Sequence, residues 1–328
     1  MIQEASPQMA AQAGVEGARP RATVSVVIPC RNCEAWIGRT IKSVLDGDHP
    51  AAIIVIDDGS TDGSLSVISS FGENVHWETG PNRGAPAARN RGHSLASTEY
   101  VMFLDADDYV EGELIPGMAE AAELALADIV FGPYVYEFED QSRREGWRIG
   151  SSIEDAEALM CAWLRGDYVP PCAVLWRTGF LHRIGGWRES LSSNQDGELV
   201  LRALSNGARW TVSAKGRGVY YQHGSPNRVG SNMSLPAFEA RMQVLELLPG
   251  EGQSLHVKEA FSRAYYDLAR GAYRKGHSKL GDKAIKMSAV DGSFRHHGTL
   301  LHRIGASLLG LERKERLATL LMSGARLK

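Results

Sequence analysis

The sequence is poor in the features that settle a protein's class at a glance. Only four cysteines occur in 328 residues, too few for the disulfide framework of a small secreted scaffold. Long apolar runs are missing: no window approaches the ~18 consecutive apolar residues of a membrane span. An excess of one charge is missing too. The formal net charge of −3 gives no overall attraction to nucleic acid, so any basic surface must be local. There is no internal repeat, and no low-complexity tract beyond an Ala-rich start. No G-x-G-x-x-G follows the first apolar run, which argues against a dinucleotide-binding dehydrogenase. Glu4 and Glu16 break any apolar block at the start, so residues 1–22 read as a flexible leader and not as a secretory signal. With 43% hydrophobic and 23% charged residues, the expectation is a globular, cytoplasmic protein.

What is present is an alternation. Short β-branched runs at 23–28, 53–56, 74–77, 100–104 and 128–132 are separated by stretches of helical period, among them Trp36, Ile37, Ile41, Val44 and Leu45. Such alternation predicts an α/β fold with a mainly parallel central sheet and helices on both faces. Ligands bind such sheets beyond the carboxyl ends of the strands. Three polar clusters are expected there: PCRNC after the first run, DDGSTDGS after the second and DADD after the fourth. From 151 to 232 the pattern turns irregular. Beyond Pro236 it becomes a C-terminal helical region with apolar stripes opposite Lys, Arg and Glu.

Each cluster has two readings. Asp105, Asp107 and Asp108 offer hard oxygen ligands suited to Mg2+ or Mn2+ carrying a diphosphate, or they form a solvated acidic turn. Asp57 and Asp58 could accept hydrogen bonds from a ribose or a base, while Asp62 or Ser64 would cap the next helix. Arg83, Arg89 and Arg91 could clamp a phosphate or line a solvated helix face. Cys30 and Cys33 form a Cys-x-x-Cys between strand and helix, the setting of a redox pair. Cys161 and Cys172 supply no second close pair for structural zinc. A metal-dependent nucleotidyltransferase would need the same acidic residues at a parallel sheet edge.

In this order the segments VSVVIPCRN, SVL, VIDDGSTDGS, NRGAPAARNRG and FLDADDYV resemble family 2 glycosyltransferases of the GT-A fold, over roughly Val24 to Met233. The resemblance implies an inverting transferase that moves one sugar from a nucleotide-diphospho-sugar, with a lean toward UDP, to a hydroxyl of a saccharide or lipid-linked acceptor. It implies a divalent metal, Mn2+ or Mg2+, and a place in surface polysaccharide or glycoconjugate synthesis. By the same resemblance Asp58 reads the base, with Asp57, Pro29, Arg31 and Asn32 bordering that pocket. Asp105 opens the DxD, Asp107 and Asp108 lie around metal and ribose, Arg89 sits near the nucleotide, and His223 closes the site as a metal contact. Asp196 matches the catalytic base, although Gln195 stands where the family has Glu. Trp187 would offer a flat face to a sugar, and Arg188–Glu189 replaces the acidic pair that often follows. The Gln-Xaa-Xaa-Arg-Trp motif of processive synthases is absent.

The implied organisation is a catalytic domain at 23–234, with a donor half at 23–132 and an acceptor half at 133–234, then helices at 235–328. From Arg295 onward Arg303, Arg313, Lys314, Arg316, Arg326 and Lys328 outnumber Glu312 and Glu315. Such helices suit peripheral contact with the inner face of an anionic membrane, packing on the catalytic domain, or self-association.

Overall fold

The computed structural model describes residues 24–47, 51–151, 153–224, 234–248, 254–289 and 296–325. The expected leader and Arg295 lie outside the described residues. The chain begins β1 (Val24–Cys30), α1 (Ile37–Leu45), β2 (Ala51–Asp57), α2 (Ser64–Ser69), β3 (His76–Thr79), α3 (Ala85–Leu95), β4 (Tyr100–Phe103), β5 (Tyr109–Glu111) and α4 (Leu114–Ala125). It continues through β6 (Ile129–Phe131), β7 (Tyr134–Phe138), β8 (Arg143–Glu145), α5 (Ala156–Leu164), β9 (Val174–Arg177), α6 (Thr178–Arg183), α7 (Gln195–Ser205), β10 (Trp210–Val212) and β11 (Arg217–Gln222). It ends in α8 (Leu235–Leu247), α9 (Leu255–Arg274), α10 (Ser278–Met287), α11 (Leu300–Leu309) and α12 (Leu311–Ala325).

A seven-stranded sheet takes the order β10-β6-β9-β4-β1-β2-β3. Only β9 runs antiparallel to its neighbours, β4 and β6. Alternation along the strands divides the core. Val24, Val26 and Ile28 of β1 join Ile53, Val55, Tyr100 and Met102 on one face, with Ile37, Ile41 and Val44 of α1 and Leu114 and Met118 of α4. Val27 joins Ile54, Ile56, Val101 and Phe103 on the other, with α5 and α7 above them. Both faces are therefore apolar, which is why these strands read as continuous hydrophobic runs. α3 can approach β1 only because position 92 is glycine: a Cβ there would stand 2.3 Å from Val27 Cγ1.

A second sheet, β5-β11-β7-β8, has no counterpart in the strands expected from sequence. The expected division at 132/133 falls between β6 and β7. β9 and β10 follow it yet belong to the seven-stranded sheet, and β5 precedes it yet belongs to the second. The C-terminal helices pack onto the catalytic part through Val244, Leu248 and Val257. No helix among the described residues is long and apolar enough to cross a membrane.

The C-terminal helices are pinned by a buried charge. The Glu315 side chain is fully buried and accepts from Arg270 Nε at 2.9 Å, Arg274 Nε at 2.5 Å and Lys314 Nζ at 3.0 Å. Burial alone would raise this carboxyl, but Lys314, Arg270 and Arg274 outweigh it and hold it down at about 2. A depressed carboxyl stabilises the fold above its unfolded value of ~4.3 and ceases to as pH falls toward about 2. Glu315→Gln should cost roughly 2 kcal/mol at neutral pH, less than the ~3–5 of a fully buried pair, because Arg274 reaches solvent. Thermal melts of the two proteins should converge on acidification; a gap that does not change with pH would remove Glu315 from this role.

Candidate active site

β1, β2 and β4 run parallel, so the loops after them share one edge. Asn32 adopts a left-handed conformation (φ 54°), which asparagine tolerates. Its N–H donates to Ser60 Oγ at 2.9 Å and its Oδ1 accepts from Thr61 N–H at 2.8 Å, locking the first loop to the second. Pro29 is half-buried and Arg31 exposed beside them. Asp57 accepts from Thr79 Oγ1 at 2.7 Å and from Ser60 N–H at 3.2 Å. Asp58 accepts the backbone N–H groups of Arg83 and Gly84, at 2.7 and 2.8 Å, where the chain enters α3. A nucleotide base would share Asp58 with these two amides.

The DADD turn closes through Asp108 N–H to the Asp105 carbonyl at 3.0 Å, and its three carboxylates take three separate partners. Asp105 Oδ1 accepts from Arg89 Nη2 at 2.5 Å. Asp107 Oδ2 lies 2.8 Å from His223 Nε2. Burial and the neighbouring Asp105 push the Asp107 carboxyl up, while His223 pulls it back. Asp108 is fully buried and accepts Tyr221 N–H at 2.9 Å. Asp108, expected beside the metal, fastens β11 from inside the core.

His223 is held in place by rings the sequence reading did not single out. Trp36 stacks on it with ring centroids 4.3 Å apart, and Tyr221 lies on it at 5.7 Å. Arg39 sits 4.4 Å over Tyr221 and donates to the Asp107 carbonyl at 2.8 Å. Among the described residues no three His, Cys, Asp or Glu side chains cluster so as to hold a metal ion by themselves. A carboxylate and an imidazole 2.8 Å apart nevertheless fit a cation that takes its remaining ligands from a diphosphate and water.

Arg89 joins the two sides of the site. It is 7% exposed, bound to Asp105 on one side and to Gln195 Oε1 at 3.1 Å on the other. Its guanidinium lies 4.5 Å over the Trp187 ring. Its two Nη atoms thus tie Asp105 to α7. Trp187, expected to face a sugar, is 3% exposed, edge-on to Phe103 at 5.0 Å and covered by Arg89. Asn90, also missed, fixes that ring's backbone: its Oδ1 accepts Trp187 N–H at 2.8 Å and its Nδ2 donates to Trp187 C=O at 2.9 Å. The signal was present, since Asn90 stands in the same ARN triplet as Arg89.

Asp196 lies half-buried in the first turn of α7. Asn194 occupies the N-cap position without a side-chain cap bond. Burial raises its carboxyl above the ordinary range, Arg89 and the Gly197 N–H oppose the rise, and Asp105 adds to it. Glu198, two residues on, is fully buried and gripped by Arg188 Nε at 2.6 Å and Arg202 Nε at 2.7 Å. Gln195, the departure from the family's Glu, serves as the bridge to Arg89.

The Cys-x-x-Cys pair is reduced. Hydrogen bonding between the thiols lowers Cys30 and raises Cys33. The backbone N–H of Cys33 donates to Ser64 Oγ at 2.9 Å, so the segment supports the loop junction.

A largely parallel sheet with acidic turns at its carboxyl edge, coupled by one arginine to a carboxylate-bearing helix, is the GT-A architecture. Residues 1–349 of S. aureus TarS, crystallised with UDP-GlcNAc, match it with a TM-score of 0.56 and 16% identity, covering 85% of this chain and 97% of that one. Mannosyltransferase PcManGT from Pyrobaculum calidifontis, in complex with GDP-Man and Mn2+, matches with a TM-score of 0.55 and 15% identity over 93% of this chain and 87% of its own. At these identities the likeness shows the fold. Residues 25–182 match the family described as Glycosyl transferase family 2. The succinoglycan biosynthesis protein ExoU of Rhizobium meliloti is 29% identical over 206 residues, 58% of this chain and 59% of ExoU. The chain spans from 17% to 59% of the length of the first curated relatives it matches.

Proposed function

We propose that the chain is an inverting glycosyltransferase that moves one sugar from a nucleotide-diphospho-sugar to a hydroxyl of a saccharide or lipid-linked acceptor. The observation that carries this reading is the Arg89 bridge, which ties the Asp105–Asp107 turn to the helix that carries Asp196. Asp107 and His223 would hold the metal, which supplies positive charge to the departing diphosphate when bound. Pro29, Arg31, Asn32, Asp57 and Asp58 border the nucleotide pocket. The acceptor oxygen attacks the anomeric carbon from the face opposite the donor. As the new C–O bond forms, the bond to the phosphate oxygen breaks and the hydroxyl proton passes to Asp196. ExoU, a succinoglycan biosynthesis protein, supports a place in surface polysaccharide synthesis, and the neighbour bound to UDP-GlcNAc supports a uridine nucleotide as donor.

A panel of UDP- and GDP-sugars, assayed with Mn2+ and simple acceptors, tests the reading. The product's anomeric configuration should be opposite to the donor's; release of pyrophosphate from a nucleoside triphosphate would instead support a nucleotidyltransferase. A pH profile adds a second check. Activity needs the Asp196 anion, and burial raises that carboxyl. The acid limb of kcat/KM should therefore lie above the ~3.9 of a free aspartate. A limb at or below that value would exclude Asp196 as the titrating base.

A further inference from the structure

Helices α11 and α12 invert the usual amphipathic pattern. Ala306, Leu311 and Glu315 are the buried side, and the buried carboxylate is what its cationic partners grip. The aliphatic side chains point away. Leu301, Leu308, Leu320 and Leu321 are 83%, 79%, 68% and 76% exposed, and Ile304 and Leu317 are each 47%. By helical period Ile304 and Leu308 lie opposite Ala306, and Leu320 lies opposite Leu311. Of the seventeen large hydrophobics exposed among the described residues, eight fall on these two helices. So dense an apolar face marks an interaction surface.

Charge selects the occupant. Arg303 and Arg313 are exposed on the same two helices. Their acids are already engaged: Glu312 with Arg316 at 2.8 Å and Ser278 at 2.8 Å, and Glu315 in its buried network. A second copy would set the same cations against each other, whereas an anionic bilayer offers opposite charge outside and hydrocarbon beneath. We propose that this face docks on a membrane surface containing anionic phospholipid, the leucines entering the acyl boundary and Arg303 and Arg313 meeting headgroup phosphates. Docking would place the transfer site where a lipid-linked acceptor is found. It stands on the surface alone, and its failure leaves the transfer reading intact.

Flotation of the full chain with vesicles of phosphatidylcholine, with and without phosphatidylglycerol, tests it. The wild type should bind the anionic vesicles. Leu301→Asn/Leu308→Asn/Leu320→Asn should weaken that binding roughly tenfold or more, and Arg303→Gln/Arg313→Gln should reduce it to the level on phosphatidylcholine alone. All five side chains are exposed, so circular dichroism and thermal melting should not change. Equal binding by wild type and leucine variant, no binding by either, or full anionic binding by the arginine variant overturns the proposal. So does a wild-type dimer in sedimentation that the leucine variant loses while vesicles capture neither, which would assign the face to a second copy.

Discussion

Asp196→Asn is expected to fold normally, bind donor normally and transfer sugar roughly 10²- to 10⁴-fold more slowly, the range of general-base catalysis. Asparagine keeps the size of the side chain and removes its basicity. The asparagine carbonyl can still accept the Gly197 N–H that meets Asp196, so little stability should be lost. Its position near the positive end of α7 helps keep the anion, while burial lifts its proton affinity; together they suit a carboxylate that must take a proton at neutral pH. Glu198 cannot substitute, because Arg188 and Arg202 occupy its oxygens in the core. Glu198→Gln should lower thermal stability, since two cations would lose a buried partner. Transfer by purified Asp196→Asn at near wild-type rate, with donor and acceptor saturating, would place the base elsewhere.

How much of this was legible in the sequence depended on the range of the forces involved. β1, β2, β4 and β6 declared themselves because both their faces are buried, which leaves an unbroken apolar run. β7 and β11 are mixed runs of tyrosine and polar residues, and they become strands only by pairing with each other across about eighty residues of chain. Nothing local marks such a pairing. The site shows the same division. DADD was visible as chemistry, but three aspartates of one type do not reveal which one is buried. The turn between Asp105 and Asp108 and the amide of Tyr221 decide that. Arg89 and Trp187 are legible as residues, but their mutual stacking is not, because it needs α3 and the 184–188 loop to meet. Trp36 reads from sequence as a helix residue and Arg39 is not singled out there; only β11 turns them into a frame for His223.

Asp107→Ala should abolish the metal dependence of donor binding and weaken donor affinity in Mn2+ by roughly 10–100-fold or more, the loss expected even for residues that only support a metal ligand. Two phosphates brought beside Asp105 and Asp107 repel these carboxylates unless a cation stands between them. Asp107 is the member of the turn whose carboxylate is both partly exposed and paired with an imidazole. Asp105 is committed to Arg89, and Asp108 to Tyr221. Calorimetry of donor binding in Mn2+ and in chelator, for wild type and variant, reads this without turnover. The wild type should lose affinity on chelation and the variant should show the chelated value in both conditions. Asp108→Ala should act differently, lowering thermal stability through the freed β11 amide while the response to Mn2+ persists. If Asp107→Ala keeps full Mn2+-dependent affinity and Asp108→Ala loses it, the metal is held from the other side of the turn, and the buried position of Asp108 must open when donor binds.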